Sequence, residues 1–433
     1  MKILFRTNDL IAGNLAYILT KEGHDVRLLI DEKGRRGNLD GLVKKVTNWR
    51  SALNWVGKDG LIVFDDVGYG KMQDSLRNKG YNVFGGTELG DKLENDREYG
   101  YNIFKKYGIK TVKLKDFDNM DEAVLFIKKH PGPWVIKQNN HAPKTLNYTS
   151  QFDDGRDAVS VLKNYLQNKY INNERITLQE RIVGVEIGVG RYFNGNDWVG
   201  PMEINIEHKR FLVGDLGPTT SEMGTLAWYD DNEDNRLFQE TLAKLKPFLK
   251  KIKFKGDMEI NCIVNENGAF PLEATSRFGS PIVHLHSEIH NSPWGEFLYS
   301  IANGKSHNLQ WKKGFGIVVA ITVPPFPYAK KEKHNIAYGM KIFFDKLSPE
   351  EWKHVHFEEV SKRIHGNENE YYISDNRGYV VYVTGMGDTV ERARKNTYDI
   401  IEKIVIPKMV YRNDIGSRFI EESEMKLKKW GYL

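Results

Sequence analysis

Phe254-Lys255-Gly256-Asp257-Met258-Glu259-Ile260-Asn261-Cys262-Ile263-Val264, a turn, and the return Phe270-Pro271-Leu272-Glu273-Ala274-Thr275-Ser276-Arg277-Phe278-Gly279 decide how this chain is read. Met258, Ile260, Cys262 and Val264 alternate with Glu259, Asn261 and Ile263, the period-2 pattern of a half-buried strand. Asn265-Glu266-Asn267-Gly268 is a turn signal, and Leu272 and Ala274 continue the apolar alternation after it. A three-residue loop, Glu266 to Gly268 with Gly268 left-handed, predicts the pairs Asn261–Glu273 and Glu259–Thr275. Cross-strand partners share a face, so two carboxylates, an amide and a hydroxyl point the same way. Clustered oxygens of this kind suit Mg²⁺ carrying nucleotide phosphates. The plainer reading of the hairpin alone is a solvated polar face.

Working outward, 433 residues imply roughly two to four domains. Apolar residues at 40% and charged residues at 28% describe a soluble globular chain with ample core. No apolar run is long enough for a bilayer, and Met1-Lys2-Ile3-Leu4-Phe5-Arg6 does not read as a signal peptide, so a cytoplasmic location is expected. The single cysteine, Cys262, excludes an intramolecular disulfide and falls on the apolar side of its strand, as a core residue would. The net charge of +5 is mild, and lysine pairs such as Lys44-Lys45 and Lys250-Lys251 are scattered, which argues against a nucleic-acid stripe.

Over about the first 90 residues, strand and helix patterns alternate at the spacing of a small parallel sheet. A dinucleotide fold would place a glycine-rich turn after the first strand, but that place holds Arg6-Thr7-Asn8-Asp9-Leu10-Ile11-Ala12-Gly13. Helices are predicted at 9–22, 95–107, 119–129 and about 156–169. Strands are predicted at 134–137, 176–180 and 185–192. Beyond Leu285 the pattern gives a helix near 293–303, a strand at 316–323, a helix at 389–404, and a polar, irregular tail after Ile406.

The end of the chain supplies a resemblance. Gly378-Tyr379-Val380-Val381-Tyr382-Val383-Thr384-Gly385-Met386-Gly387-Asp388 and Tyr411-Arg412-Asn413-Asp414-Ile415-Gly416-Ser417-Arg418 are similar to the C-terminal domain of phosphoribosylamine–glycine ligase, of the ATP-grasp superfamily. Three internal segments agree in order. Glu207-His208-Lys209-Arg210 resembles the family's DHKR, Asp215 to Gly224 its DTGPNTGGMG, and Glu273 to Pro281 its EFNxRFGDP. The resemblance runs from about residue 80 to the end.

That resemblance implies a multidomain α/β and α+β chain with an ATP-grasp fold. It would have an N-terminal parallel-sheet (preATP-grasp) domain at 1–90, an ATP-grasp region at 91–310 with a lid at about 110–180, and a C-terminal α+β domain at 311–433. It implies ATP and Mg²⁺ (or Mn²⁺) as cofactors. Lys137 would meet the α-phosphate, and Lys144 would lie over the phosphates on a loop, 139–145, that here has no glycine. Glu180, Arg181 and Val183 would form the hinge that reads adenine, Glu186 would bond ribose, and Lys209 would join the nucleotide site. Glu273, Thr275 and Glu259 are the implied metal ligands, Thr275 standing where the family has Asn. Arg277 and Lys144 are the implied catalytic groups, and Arg6, Asp215, Met223, Gly224 and Arg277 would bind substrate.

The implied reaction activates a carboxylate, glycine or another amino acid, as an acyl phosphate and passes it to an amine. The expected assembly is a monomer or weak homo-oligomer. The family's GGGGREH, GPE and DPE segments are replaced by Arg6 to Gly13, Asp65-Asp66-Val67-Gly68 and Ser280-Pro281-Ile282. Three readings stay open: the family reaction, the same ligase chemistry with another amine acceptor, and a non-catalytic nucleotide-binding protein.

Overall fold

The computed structural model describes the whole chain except residues 139–146, 169–175, 329–336 and 367. The N-terminal sheet contains β1 (Lys2–Thr7), β2 (Asp25–Ile30), β3 (Lys44–Lys45), β4 (Leu61–Phe64) and β5 (Asn82–Phe84), all parallel, in the order β3-β2-β1-β4-β5. Alternation along β1 sends Ile3 and Phe5 toward α1 (Gly13–Lys21), while Leu4 packs with α2 (Trp49–Val56) and α3 (Gly70–Asn78) on the other face. Helix α1 starts later than its apolar pattern predicts. Leu10 sits at φ 60°, its amide bonded to Thr7 Oγ1 at 2.7 Å, so the chain turns before it can coil. The helix predicted at 95–107 is α5 (Arg97–Lys106), and a separate helix that the pattern did not indicate, α4 (Glu88–Asn95), precedes it. Asp96 is extended between them, and its carboxylate caps the Tyr99 amide at 2.9 Å.

Next comes a four-stranded unit with its own core. Its strands β6 (Leu114–Phe117), β7 (Trp134–Gln138), β8 (Tyr148–Thr149) and β9 (Ile176–Glu180) run in the order β6-β9-β7-β8. Helices α6 (Met120–Lys129) and α7 (Arg156–Asn168) cover the sheet, burying Ala123, Ile127, Ala158 and Leu162 against Ile136, Ile176 and Leu178. This cluster is separate from the main core.

The largest sheet is antiparallel and eight-stranded. It is built from β10 (Val185–Asn194), β11 (Trp198–Glu207), β14 (Gly224–Asp230), β15 (Lys255–Asn265) and β16 (Gly268–Thr275), with the small hairpin β12 (Arg210–Leu212) and β13 (Leu216–Thr219) projecting between β11 and β14. Helices α8 (Arg236–Glu240), α9 (Leu242–Lys251), α10 (Ile282–Ile289) and α11 (Trp294–Ala302) pack around it. Later strands extend the same sheet: β17 (Phe315–Thr322), β19 (Val355–Phe357) and β22 (Tyr379–Gly387) give the order β16-β15-β10-β11-β14-β17-β22-β19. The sheet thus continues across residue 310. A second sheet pairs β18 (Lys341–Phe344), β20 (Val360–His365), β21 (Glu368–Ile373) and β23 (Ile404–Val405), and α12 (Val390–Ile401) lies on β22.

The hairpin β15–β16 has the predicted pairs, Glu259 with Thr275 and Asn261 with Glu273, but reaches them differently. Asn265 pairs with Gly268 across a two-residue turn, and Leu272 is then an extra residue on β16. The Asn265 side chain closes the tighter turn by accepting from the Asn267 amide at 2.9 Å. The tail after Ile406 is not irregular throughout. It ends in α13 (Glu424–Trp430), and Phe419, Leu427 and Tyr432 are buried against the main core.

Candidate active site

A cleft of about 1480 Å³ opens between the four-stranded unit, the large sheet and the N-terminal sheet. Its floor is the polar face of the large sheet. Glu186 on β10, Glu207 on β11, Asn261 on β15 and Glu273 on β16 converge there, and Lys209, just beyond β11, reaches in among them. The Lys209 ammonium lies 2.8 Å from Glu207, 3.0 Å from Glu186 and 3.2 Å from Glu273. Asn261 Nδ2 donates to Glu207 at 2.7 Å and to Glu186 at 3.1 Å. Burial works against the charge on Lys209, yet Glu207, Glu273 and Glu186 together hold it well above the ordinary lysine range. The cation that the acidic hairpin face demands is therefore this ammonium.

Lys137 on β7 and Arg97 at the start of α5 line the same cleft and both feel the Glu273 carboxylate. Burial, reinforced by Arg97, pushes Lys137 down to about 8, against the pull of Glu273. Burial also lowers Arg97, with Glu273 and Asp116 opposing it. The motifs did not indicate Arg97. A cation in the first turn of a helix opposes the helix dipole, which is the one signal that its position serves the cleft rather than the helix.

Glu259 stands apart from this group. It is buried, its Oε1 accepts from Asn205 at 2.8 Å, and burial with Glu203 and Glu207 pushes it well above the usual carboxylate range. Gly188 and Gly190 on β10 make room for these side chains, since a Cβ at Gly188 would come within 2.5 Å of the Asn205 amide and 2.8 Å of Glu259. Among the described residues no three His, Cys, Asp or Glu side chains are grouped to hold a metal; Glu259 faces Thr275 across the hairpin and Glu273 faces Asn261. Asn261 Oδ1 is buried without a hydrogen-bond partner and shares its strand pairing with Glu273. Glu273, Asn261 and Glu207 bring their oxygens together at the next same-face pair of the hairpin, the two carboxylates at 2.8 and 3.2 Å from the Lys209 ammonium.

The remaining expected residues take varied places. Arg277 lines the cleft, but its Nε donates to Glu94 at 3.1 Å and its Nη1 to the Phe278 carbonyl at 2.8 Å, with Asp66 at 3.9 Å. Glu180 and Arg181 use their amides on the carbonyls of Lys113 and Pro133, and Arg181 Nη1 binds the Ser150 carbonyl. Val183 is 68% exposed, with its carbonyl bonded to Asn265. Gln179, Arg181 and Ile182 line the cleft. Asp215 lines it too, held by Arg412 at 2.8 Å and Arg418 at 2.6 Å.

Met223 and Gly224 are buried in the core behind the cleft, and Glu222 reaches its wall instead. Arg6 is outside the lining altogether. The alternation of β1 turns it to the α2–α3 face, where Asp31 binds it at 2.8 and 3.2 Å and Trp49 and Tyr69 stack on it. Lys144 and the loop 139–145 lie outside the described residues.

An antiparallel sheet with carboxylates and an amide on one face, a separately cored four-stranded unit bearing Lys137, and an N-terminal parallel sheet make up an ATP-grasp fold. Solved structures agree on the fold: phosphoribosylamine–glycine ligase from Thermotoga maritima aligns with a TM-score of 0.71 at 19% identity, covering 96% of this chain and 100% of that one. Biotin carboxylase from Campylobacter jejuni aligns at 0.63 with 10% identity, covering 100% and 97%. More particularly, residues 95–283 match the family model of the phosphoribosylglycinamide synthetase ATP-grasp (A) domain. The likeness extends along most of the chain, which is 26% identical over 390 residues to phosphoribosylamine–glycine ligase from Lactococcus lactis, 88% of this chain and 87% of that protein. The same enzyme from Neisseria meningitidis serogroup B is 26% identical over 363 residues, 80% and 81%.

Proposed function

We propose that this chain is an ATP-dependent ligase that joins a carboxylate, glycine or another amino acid, to an amine through an acyl phosphate, as its relatives' names describe for glycine and phosphoribosylamine. The observation that carries the reading is the meeting of Lys209, Lys137 and Arg97 over Glu273, Glu207 and Asn261 in an ATP-grasp cleft. The three cations would hold the phosphate chain, and Glu273, Asn261 and Glu207 would hold Mg²⁺. Bound there, the ion would neutralise the charge on the transferred phosphoryl group.

In the first step a substrate carboxylate oxygen bonds to the γ-phosphorus and the bond to ADP breaks. The amine nitrogen then attacks the acyl carbon, the carbon–oxygen bond to phosphate breaks, and the amine's proton leaves with the phosphate. Arg277, fixed by Glu94 and the Phe278 carbonyl, would stand beside the reacting carboxylate as a positioned charge. The lid would shield the acyl phosphate from water when closed on the sheet. Among the described residues no helix is long and apolar enough to cross a membrane. A cytoplasmic enzyme, monomeric or weakly self-associating, is part of this reading.

The test is ADP release with Mg-ATP, each amino acid in turn, and hydroxylamine as a small amine that traps the acyl phosphate. Amino-acid-dependent hydroxamate is the expected product. Tight ATP binding with no hydroxamate from any amino acid would leave a nucleotide-binding protein instead.

A further inference from the structure

The place that a metal would take on the floor of the cleft is held by the protein's own cation. Glu207 and Glu273 are two of the three side chains that would carry Mg²⁺, and the Lys209 ammonium stands 2.8 and 3.2 Å from their oxygens. The third, Asn261, spends its amide nitrogen on Glu207 at 2.7 Å and on Glu186 at 3.1 Å. Its Oδ1 is buried without a hydrogen-bond partner, an acceptor left over for a cation.

Two cations do not share these oxygens freely. Mg²⁺ binds oxygen at about 2.0–2.1 Å, so an ammonium still bonded to the same carboxylates would stand within roughly 5 Å of it and be repelled. Free Mg²⁺ also sheds its water reluctantly. Lys137 and Arg97, which both feel Glu273, add positive charge at the same place. Metal without nucleotide must therefore lose water and dislodge Lys209, and gains in return only the oxygens that Lys209 was using.

Lys209 has an alternative once phosphate is present. Its side chain, a flexible four-carbon stem, is 26% exposed and lines the cleft. Glu186, which is not one of the three metal-side residues, holds the ammonium at 3.0 Å. Lys209 can thus release Glu207 and Glu273, keep Glu186 and turn to a phosphate oxygen.

We propose that Lys209 is a resident counter-ion that makes metal binding conditional on nucleotide. It pairs with Glu207 and Glu273 in the nucleotide-free chain and passes to the phosphates when Mg-ATP enters. One ionic contact replaces another, with no covalent change. The proposal rests on the ATP-site reading of the cleft and adds to it an order of binding.

The experiment is Mn²⁺ titration of the full chain without nucleotide, followed by loss of the free ion's electron paramagnetic resonance signal. The parent chain, Lys209→Met and Lys209→Gln are compared, each also with Glu273→Gln added. Both Lys209 variants are expected to bind one Mn²⁺ at least about tenfold tighter than the parent, and the added Glu273→Gln to remove the gain. Equal affinity in the parent and in folded forms of the variants, weak or strong, overturns the proposal, as does a gain that survives Glu273→Gln. A parent chain that binds Mn²⁺ as tightly alone as with a non-hydrolysable ATP analogue overturns it without any variant at position 209. Calorimetry of the Mg²⁺-bound analogue is run alongside. Failure of the parent to bind it would remove the ATP reading, while the nucleotide-free titrations would still decide whether Lys209 keeps the metal position.

Discussion

Lys209 and Glu273 stand 3.2 Å apart across the mouth of the β15–β16 hairpin, joined to Glu186 and Glu207 by the same ammonium. One lysine thus bridges carboxylates from three strands of the sheet, β10, β11 and β16. Its removal leaves like charges facing each other in a partly buried site, where the loss exceeds that of a surface ion pair. Lys209→Met is expected to lower stability by about 3 kcal/mol and to weaken Mg-ATP binding. Urea unfolding midpoints with and without nucleotide check both, and an unchanged midpoint in its absence would refute the bridging role.

Glu273→Gln separates charge from stability. Lys209 keeps Glu186 and Glu207, so the fold should hold, while ADP formation should fall by about a hundredfold or more as the metal-side charge is lost. Near-normal turnover would exclude Glu273 from metal binding.

Lys137 gives a pH dependence with two opposite signs. Its value in the folded chain is near 8 against an ordinary 10.5, so between these the unfolded chain binds more protons and stability rises with pH. Phosphate binding needs the charged form, so Mg-ATP affinity should fall as pH rises through about 8. Lys137→Arg, charged throughout, should flatten the affinity profile. The same downward step in the arginine variant would assign it to another group.

Gly188→Ala tests the carboxylate layer beneath the site. The new methyl would press on Asn205 and Glu259, both buried, at a cost of about 1–3 kcal/mol. Thermal denaturation should register the loss, and a variant as stable as the parent would mean that this layer yields easily.

The sequence made the hairpin's pairing legible because one polar face of a period-2 strand admits few registers, and Glu259–Thr275 and Asn261–Glu273 are both present. It did not reveal how that register is reached, since a two-residue turn with a bulge at Leu272 and a three-residue loop give the same pairs. The motif Glu207-His208-Lys209 pointed to the site without showing that Lys209 would sit among three acids. Arg97 escaped because no motif marks it, and only the fold shows that the first turn of α5, capped by Asp96, faces the cleft. Arg6 misled for a simpler reason: alternation along a buried parallel strand turns successive side chains to opposite faces, and only the fold says which face meets the cleft.

The continuation of the large sheet from β14 into β17 and β22 also constrains how the protein is made. On the ribosome, β14 emerges with one edge bare and keeps it so until the strands near Phe315 and Gly387 follow. That edge is a template for pairing with other nascent chains. A gene interrupted near codon 310 would therefore yield an aggregating fragment rather than a working half. The cleft and the strands that complete its sheet form one structural unit.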